Sequence, residues 1–133
     1  MSFSEEQTDI EAYFQQRWIH TPIAYDNVEF DPKEYSEWVR FVIRNGTARQ
    51  VSIALDSPGF RYFGNIFVQI FTRSDTGVGR SLVLADYVTE LFRLASVNGI
   101  QFRTPSITRV GNMEDGWFQV NVDCPYFREE FPS

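Results

Sequence analysis

The chain has 133 residues, enough for one domain that buries most of the surface its unfolded form would expose, and no second domain is needed. Its net charge of -6 excludes a protein that grips nucleic acid or anionic lipid through overall charge, since both need a basic face, although a local basic patch stays open. Apolar content of 43% is ordinary, but 17% aromatic with thirteen Phe is high, so either the core is Phe-rich or some rings face a partner.

The opening Met1-Ser-Phe-Ser-Glu-Glu has no basic start and no apolar core, and no later stretch is long and apolar enough to span a bilayer, so a soluble, cytosolic product is expected. Ser4 followed by Gln7 reads as a capping box that starts a helix. Ile10, Phe14 and Trp18 recur at helical spacing and give that helix one apolar face for docking on a sheet. Thr21-Pro22 ends it, because the residue before Pro is pushed out of the helical region.

Residues 22–27 suit a short strand, and the acidic run from Val28 to Ser36 suits a surface loop. Trp38 to Arg44 alternates, with Val39, Phe41 and Ile43 on one face, and Asn45-Gly46 then signals a hairpin. The return strand would run from Ala48 to Leu55. A two-residue loop would set the apolar sides of the two strands on opposite faces. A longer loop or a bulge near Thr47 is therefore expected, pairing Phe41 with Val51 and Val39 with Ile53 and leaving Arg40, Arg44, Arg49 and Ser52 exposed.

After the turn Asp56-Ser57-Pro58-Gly59 comes a strand from Tyr62 to Thr72 that is apolar on both faces, with Ile66, Val68 and Ile70 on one and Phe63, Phe67 and Phe71 on the other. Strands of this kind are central in their sheets. A loop from Arg73 to Arg80 leads to a helix over Ser81 to Val97, for which Asn98-Gly99 makes a fitting stop. Strand pieces at Ile100 to Phe102 and Ile107 to Val110 flank Thr104-Pro105. Gly111 to Gly116 turns the chain into an alternating strand from Trp117 to Tyr126, and the final residues, from Phe127, read as loose or used in contacts. Runs of adjacent strands with two helices point to an α+β fold: a single antiparallel or mixed β-sheet with two main helices packed on one face.

Chemistry-bearing residues are sparse. Thr76-Gly-Val-Gly-Arg-Ser lies where backbone amides and a helix start can hold a phosphate with Arg80 as counter-charge, but it lacks the Gly-Lys-Ser/Thr of a P-loop, and a flexible connection capped by Ser81 or Asp75 is the favoured reading. His20 is the sole histidine, which excludes a multi-imidazole zinc site, and its place at a helix end suits hydrogen bonding to the last carbonyls. Asp26, Glu29, Asp31 and Glu34 lack the spacing of a calcium loop. Cys124 is the sole cysteine, which excludes an internal disulfide, and its place in an alternating apolar run reads as a buried, inert thiol. Trp38, Trp117, Phe63, Phe67 and Phe71 would need a lid if helices cover only the other face, and such a patch normally marks an interface.

Gly64-x-Ile-Phe-Val-Gln-Ile-Phe-Thr, then a Gly-containing loop, then Leu84-Ala85-Asp86-Tyr-Val-x-x-Leu-Phe92, resembles the tail terminator family of long-tailed bacteriophages, also called minor tail protein U. The resemblance extends to the order of elements over nearly the whole chain, taken as a single domain over residues 1–133. It implies a non-enzymatic α+β subunit with no catalytic residue, cofactor or metal. Such subunits form a homohexameric ring on the end of the tail tube, stop its polymerisation and offer a surface for head joining. Its partners would be further copies of itself, the tube protein and a head-tail connector protein. DNA would pass through the ring without specific binding, no membrane would be involved, and the protein would sit at the head-proximal end of the virion tail after assembly in the host cytoplasm. Exposed tips carrying Arg44, Asn45, Arg49, Arg61, Arg73, Asp75 and Arg80 are the expected contact residues, since loops on a rigid sheet commonly carry recognition. The rival readings are another head-tail connector or neck protein and, from a different class, a small-ligand binder or enzyme with an aromatic pocket using His20, Tyr25 or Asp26.

Overall fold

A computed structural model describes residues 1–51 and 58–131 of the chain. Helix α1 (Phe3–Arg17) starts two residues earlier than the Ser4/Gln7 pattern suggests. The capping box is instead built by Ser2 and Glu5, with Ser2 Oγ accepting from the Glu5 N–H and Glu5 Oε1 accepting from the Ser2 N–H. Glu5 brings a full carboxylate to the positive end of the helix, which Gln7 cannot. The helix also stops short of Thr21-Pro22: Trp18 already has extended backbone, its N–H bonded to the Phe14 carbonyl.

The strands are β1 (Ile23–Tyr25), β2 (Glu37–Gln50), β3 (Phe60–Arg73), β4 (Ser96–Val97), β5 (Ile100–Phe102), β6 (Ser106–Asn112) and β7 (Trp117–Glu130). They form one mixed sheet in the order β1-β2-β3-β7-β5-β4, with β6 also pairing β7. β1 runs parallel to β2, and the other pairings are antiparallel. The central place of β3, between β2 and β7, follows from its two apolar faces.

No hairpin forms at Asn45-Gly46. β2 runs straight through it, paired along its length with β3: Val39 faces Ile70 and Phe41 faces Val68, not Ile53 and Val51. The expected irregularity is present, as a bulge between Asn45 and Ala48 within one long strand. A type I′ turn needs φ > 0 at both central residues, and neither Asn45 nor Gly46 has it. Asn45 instead points into the helix side and donates to Glu6 Oε2 at 2.9 Å, while Gly46 lies against the Phe63 carbonyl. Ser52, Ile53 and Leu55 of the proposed return strand, and Asp56-Ser57 of the turn after it, lie outside the described residues.

Helix α2 (Gly79–Phe92) ends five residues before Val97. Leu94 takes the left-handed conformation at φ 60°, a position where the sequence offers no Gly, and the chain returns as β4. Asn98 and Gly99, at φ 48° and 88°, make the tight β4–β5 hairpin in which Val97 faces Ile100, so this Asn-Gly is a strand turn and not a helix stop. The start of α2 has no side-chain cap: Ser81 Oγ donates to the Val78 carbonyl, and Asp75 does not cap it.

Both helices lie on one face of the sheet. Ile10 and Phe14 of α1 and Leu84, Ala85, Val88 and Phe92 of α2 join Val39, Phe41, Ile66, Val68, Ile70, Val120 and Val122 in the main core. Phe14 stacks between Phe41 and Trp18 at centroid distances of 4.6 and 5.3 Å, and Phe92 and Phe102 are buried in the same layer, while most of the remaining Phe lie elsewhere. The stretch from Phe127 to Glu130 is not loose: β7 continues to Glu130, with Arg128 facing Tyr62 of β3.

That extension creates a buried polar centre. Glu6 Oε1 accepts from Arg128 Nε at 2.6 Å, and Glu6 Oε2 accepts from Tyr126 Oη at 2.7 Å as well as from Asn45. Arg128 also donates from Nη1 to the Met1 carbonyl and to Glu130, and its guanidinium lies over the rings of Tyr62 and Phe3. Burial, and then the bond to Glu6, hold the Tyr126 hydroxyl well above its usual range. Cys124 is buried as expected, and burial pushes its thiol up to about 12.

Candidate functional site

The face of the sheet opposite the helices is set by strand alternation: Trp38, Arg40, Val42 and Arg44 on β2, Phe63, Asn65, Phe67, Gln69 and Phe71 on β3, and Trp117, Gln119, Asn121 and Asp123 on β7. It is not an open aromatic patch throughout. At one end Trp38 and Trp117 are buried together with Ala24, packed by Phe30 and Phe71, with Trp38 stacked on Phe71 at 4.2 Å. The loop after β1 supplies that cover through Phe30, which stacks on Trp38 at 5.0 Å. Further along the face Phe63 and Phe67 are half-buried, among polar neighbours.

Arg73 locks the loop in place. Its guanidinium sits 3.8 Å above the Trp117 ring and donates to the carbonyls of Tyr35 at 2.9 Å and Lys33 at 3.2 Å. Arg44 pairs with Asp26 at 3.2 Å in the open. Arg61 pairs with Glu129 and lies over Phe127, and Arg49 lies over Phe63. Asp75 sits in the β3–α2 loop at φ 71°. Asn45 faces inward to Glu6, away from these residues. The seven residues therefore fall in three groups: Arg44, Arg49 and Arg61 along the β2–β3–β7 ladder, Arg73, Asp75 and Arg80 at the opposite end of β3 and the start of α2, and Asn45, exposed but turned to the helix side by its bond to Glu6.

Arg80 does not stand as a free counter-charge for an anion. It forms a two-pronged ion pair with Glu37, Nε to Oε2 at 2.9 Å and Nη2 to Oε1 at 2.7 Å, which raises its pKa further. With its cation neutralised and Gly77 used for a left-handed turn, the Thr76 to Ser81 segment is built as a connection.

The residues of the enzyme reading are engaged separately. His20 does not cap α1, which ends before it; it stacks on Tyr87 at 4.0 Å and meets Trp18 edge-on. Asp26 belongs to the Arg44 pair, and burial raises the Tyr25 hydroxyl, with Glu11 adding to the shift. Burial also raises the Asp123 carboxyl, whose Oδ1 is buried without a hydrogen bond. Among the described residues no group of three or more His, Cys, Asp or Glu side chains is placed to hold a metal ion, and no helix is long and apolar enough to cross a membrane.

The sequence marks strands at residues 22–27 and 107–110 but does not show that they form the two sides of the sheet. β1 is one terminal strand and β6 lies at the other side, and nearly every side chain of β6 is exposed, Ile107 and Val110 included. The signal was available in Ser106-Ile-Thr-Arg-Val, a β-prone run that alternates no apolar face toward a core.

Comparison with known proteins agrees with this architecture. A family model described as Phage tail terminator protein matches residues 8–126, a span that runs from within α1 into the last third of β7. Among solved structures, one chain with 19% identical residues superposes at a TM-score of 0.64 over 96% of this chain and 98% of its own, a likeness of fold. No curated protein matches.

Proposed function

The chain belongs to the phage tail terminator family, and from that footing we propose that it completes the tail: copies assemble as a hexameric ring on the end of the tail tube, stop its polymerisation and present a surface to the head connector. The family is one of structural, non-enzymatic proteins of the virion tail. The observation that carries the proposal is the family match over residues 8–126. The molecule suits the role physically. A ring needs unlike surfaces at opposite sides of the subunit that close on one another, and the two sides of this sheet differ. The net charge of -6 lets DNA pass a pore without being gripped. The exposed Arg44, Arg49, Asp75 and Arg80 and the half-buried Arg61 and Arg73 remain the proposed surface for ring, tube or connector contacts. Asn45 is proposed to act on that surface indirectly, through the set of the β2 bulge.

The test is capping of tube growth. Tube protein polymerising in the presence of the chain is expected to give shorter tubes that carry a ring at one end by negative-stain electron microscopy. Tubes of unchanged length with bare ends would overturn the proposal. A ring bound to connector but never to tubes would favour a neck protein instead.

A further inference from the structure

We propose that subunits join head to tail through the sheet itself, the free edge of β6 in one copy adding to the β1 end of the next. This rests on the ring reading above and names the surfaces that make the ring. β6 is hydrogen-bonded to β7 along one side only. Its other side, among the described residues, presents a row of unpaired N–H and C=O groups, the template that native proteins normally blunt with Lys, Pro or a cover. Here the strand keeps Ile107 and Val110 at 47% and 45% exposure, and the exposed Met113 follows it. A seven-residue edge strand with apolar side chains on offer is suited to strand addition, where main-chain bonds supply affinity and side chains supply specificity.

The occupant is a second copy because the opposite side of the same sheet complements β6 in four respects. β1 is also terminal, bonded to β2 alone among the described strands. It is flanked by the exposed apolar residues Ile19 and Val28. Around β6, Arg103 and Arg109 are exposed and residues 100–113 hold no acid, while Glu11 beside Tyr25 and Glu29 after β1 have no ion-pair partner among the described residues. Finally, β1 runs with β2 and β7 whereas β6 runs against β7, so a neighbour placed with its helix face on the same side meets β6 antiparallel. That contact is heterologous, the kind that closes into a ring when each step adds a rotation.

The test uses the full chain in two variants with one added cysteine each, Ile107→Cys and Val28→Cys, the native Cys124 being buried and inert to a short bis-maleimide. The mixture is expected to give a covalent dimer that neither variant gives alone. Arg109→Glu is expected to weaken association at least tenfold in sedimentation velocity, and Glu29→Arg in the same chain to restore much of it. Both substitutions are at exposed positions, and circular dichroism checks that the fold is kept. Cross-linking of Ile107→Cys with itself would overturn the proposal, showing an edge-to-edge dimer. If the unmodified chain forms rings, in concentrated solution or on tail tubes, and the mixed cross-link is absent, the proposed surfaces are wrong and the ring reading stands. If it forms rings in neither setting, both fall.

Discussion

Glu6 on the first turns of α1 and Arg128 near the end of β7 meet at 2.6 Å with 2% and 1% of their surfaces exposed, joining the two ends of the chain through one buried ion pair. Removing one partner leaves an uncompensated buried charge, which costs about 3–5 kcal/mol, whereas replacing both by apolar groups of similar volume costs far less. Arg128→Met is therefore expected to lower stability by that amount in urea unfolding. Glu6→Leu with Arg128→Met should lose clearly less than the sum of the single changes. Additive losses, or a single loss below about 1 kcal/mol, would show that the pair does not hold α1 to the sheet.

Gly64 is required by the same centre. A Cβ at this position would overlap the Tyr126 ring, which is held by Glu6 on one side and by the core on the other. Gly64→Ala is expected to cost about 1–3 kcal/mol by overpacking, and Tyr126→Leu in the same chain to recover part of it. Tyr126→Leu that only adds to the loss would place the strain elsewhere.

How much of this was legible in the sequence depends on whether the signal was local. Periodicity alone carried the central strand, the two helices on one face and the buried thiol, because each depends on spacing within one element. The two Asn-Gly pairs show where local signals fail. Asn45-Gly46 has the composition of a hairpin and lies within a fourteen-residue strand, because the ladder to β3 and the bond from Asn45 to Glu6 outweigh a turn preference. Asn98-Gly99 follows a helical pattern and is the hairpin. Arg128 looked like part of a loose end, since a buried arginine is recognisable only when its partner, 122 residues away in sequence, is in place. The contact residues divide likewise: Arg80 lost its role as a free cation because Glu37 is brought to it by β2.

That ion pair sets a further expectation. Both side chains are partly exposed, so the pair contributes at most about 1 kcal/mol, and Arg80→Ala should shift thermal unfolding by only a few degrees. Phosphate and nucleoside triphosphates are expected to leave the melting temperature unchanged. A nucleotide-dependent rise that Arg80→Ala abolishes would restore the anion-binding reading of the Thr76 to Ser81 loop.

Cys124 gives a pH dependence whose sign can be worked out. The folded thiol ionises near 12 against an ordinary value of 9.0, so its contribution to stability is fully present below pH 9 and is lost as pH rises toward 12, where the unfolded chain gains by ionising first. Unfolding free energy of the native chain should fall across pH 9–12 more steeply than that of Cys124→Ala, each taken relative to its value at pH 8. In the same window a thiol reagent should modify the native chain only at the rate of unfolding. Rapid modification at pH 8, or equal alkaline slopes, would mean the thiol is accessible.

Arg73 makes the loop between β1 and β2 part of the sheet's far face, since it holds the Lys33 and Tyr35 carbonyls while stacked on Trp117. Two charge-assisted bonds and a partly desolvated cation–π contact together suggest a loss of about 2–3 kcal/mol on truncation, but the effect should be local before it is global. Arg73→Ala is expected to speed amide exchange across residues 28–36 and trypsin cleavage at Lys33, with the β3–β7 ladder still protected. Arg73→Lys should rescue little, because an ammonium can donate to the carbonyls but has no planar guanidinium to lie flat on the Trp117 indole at the same time. If exchange rises equally in the loop and in the central strands, Arg73 supports the whole sheet and the loop is not a separately releasable cover over Trp38.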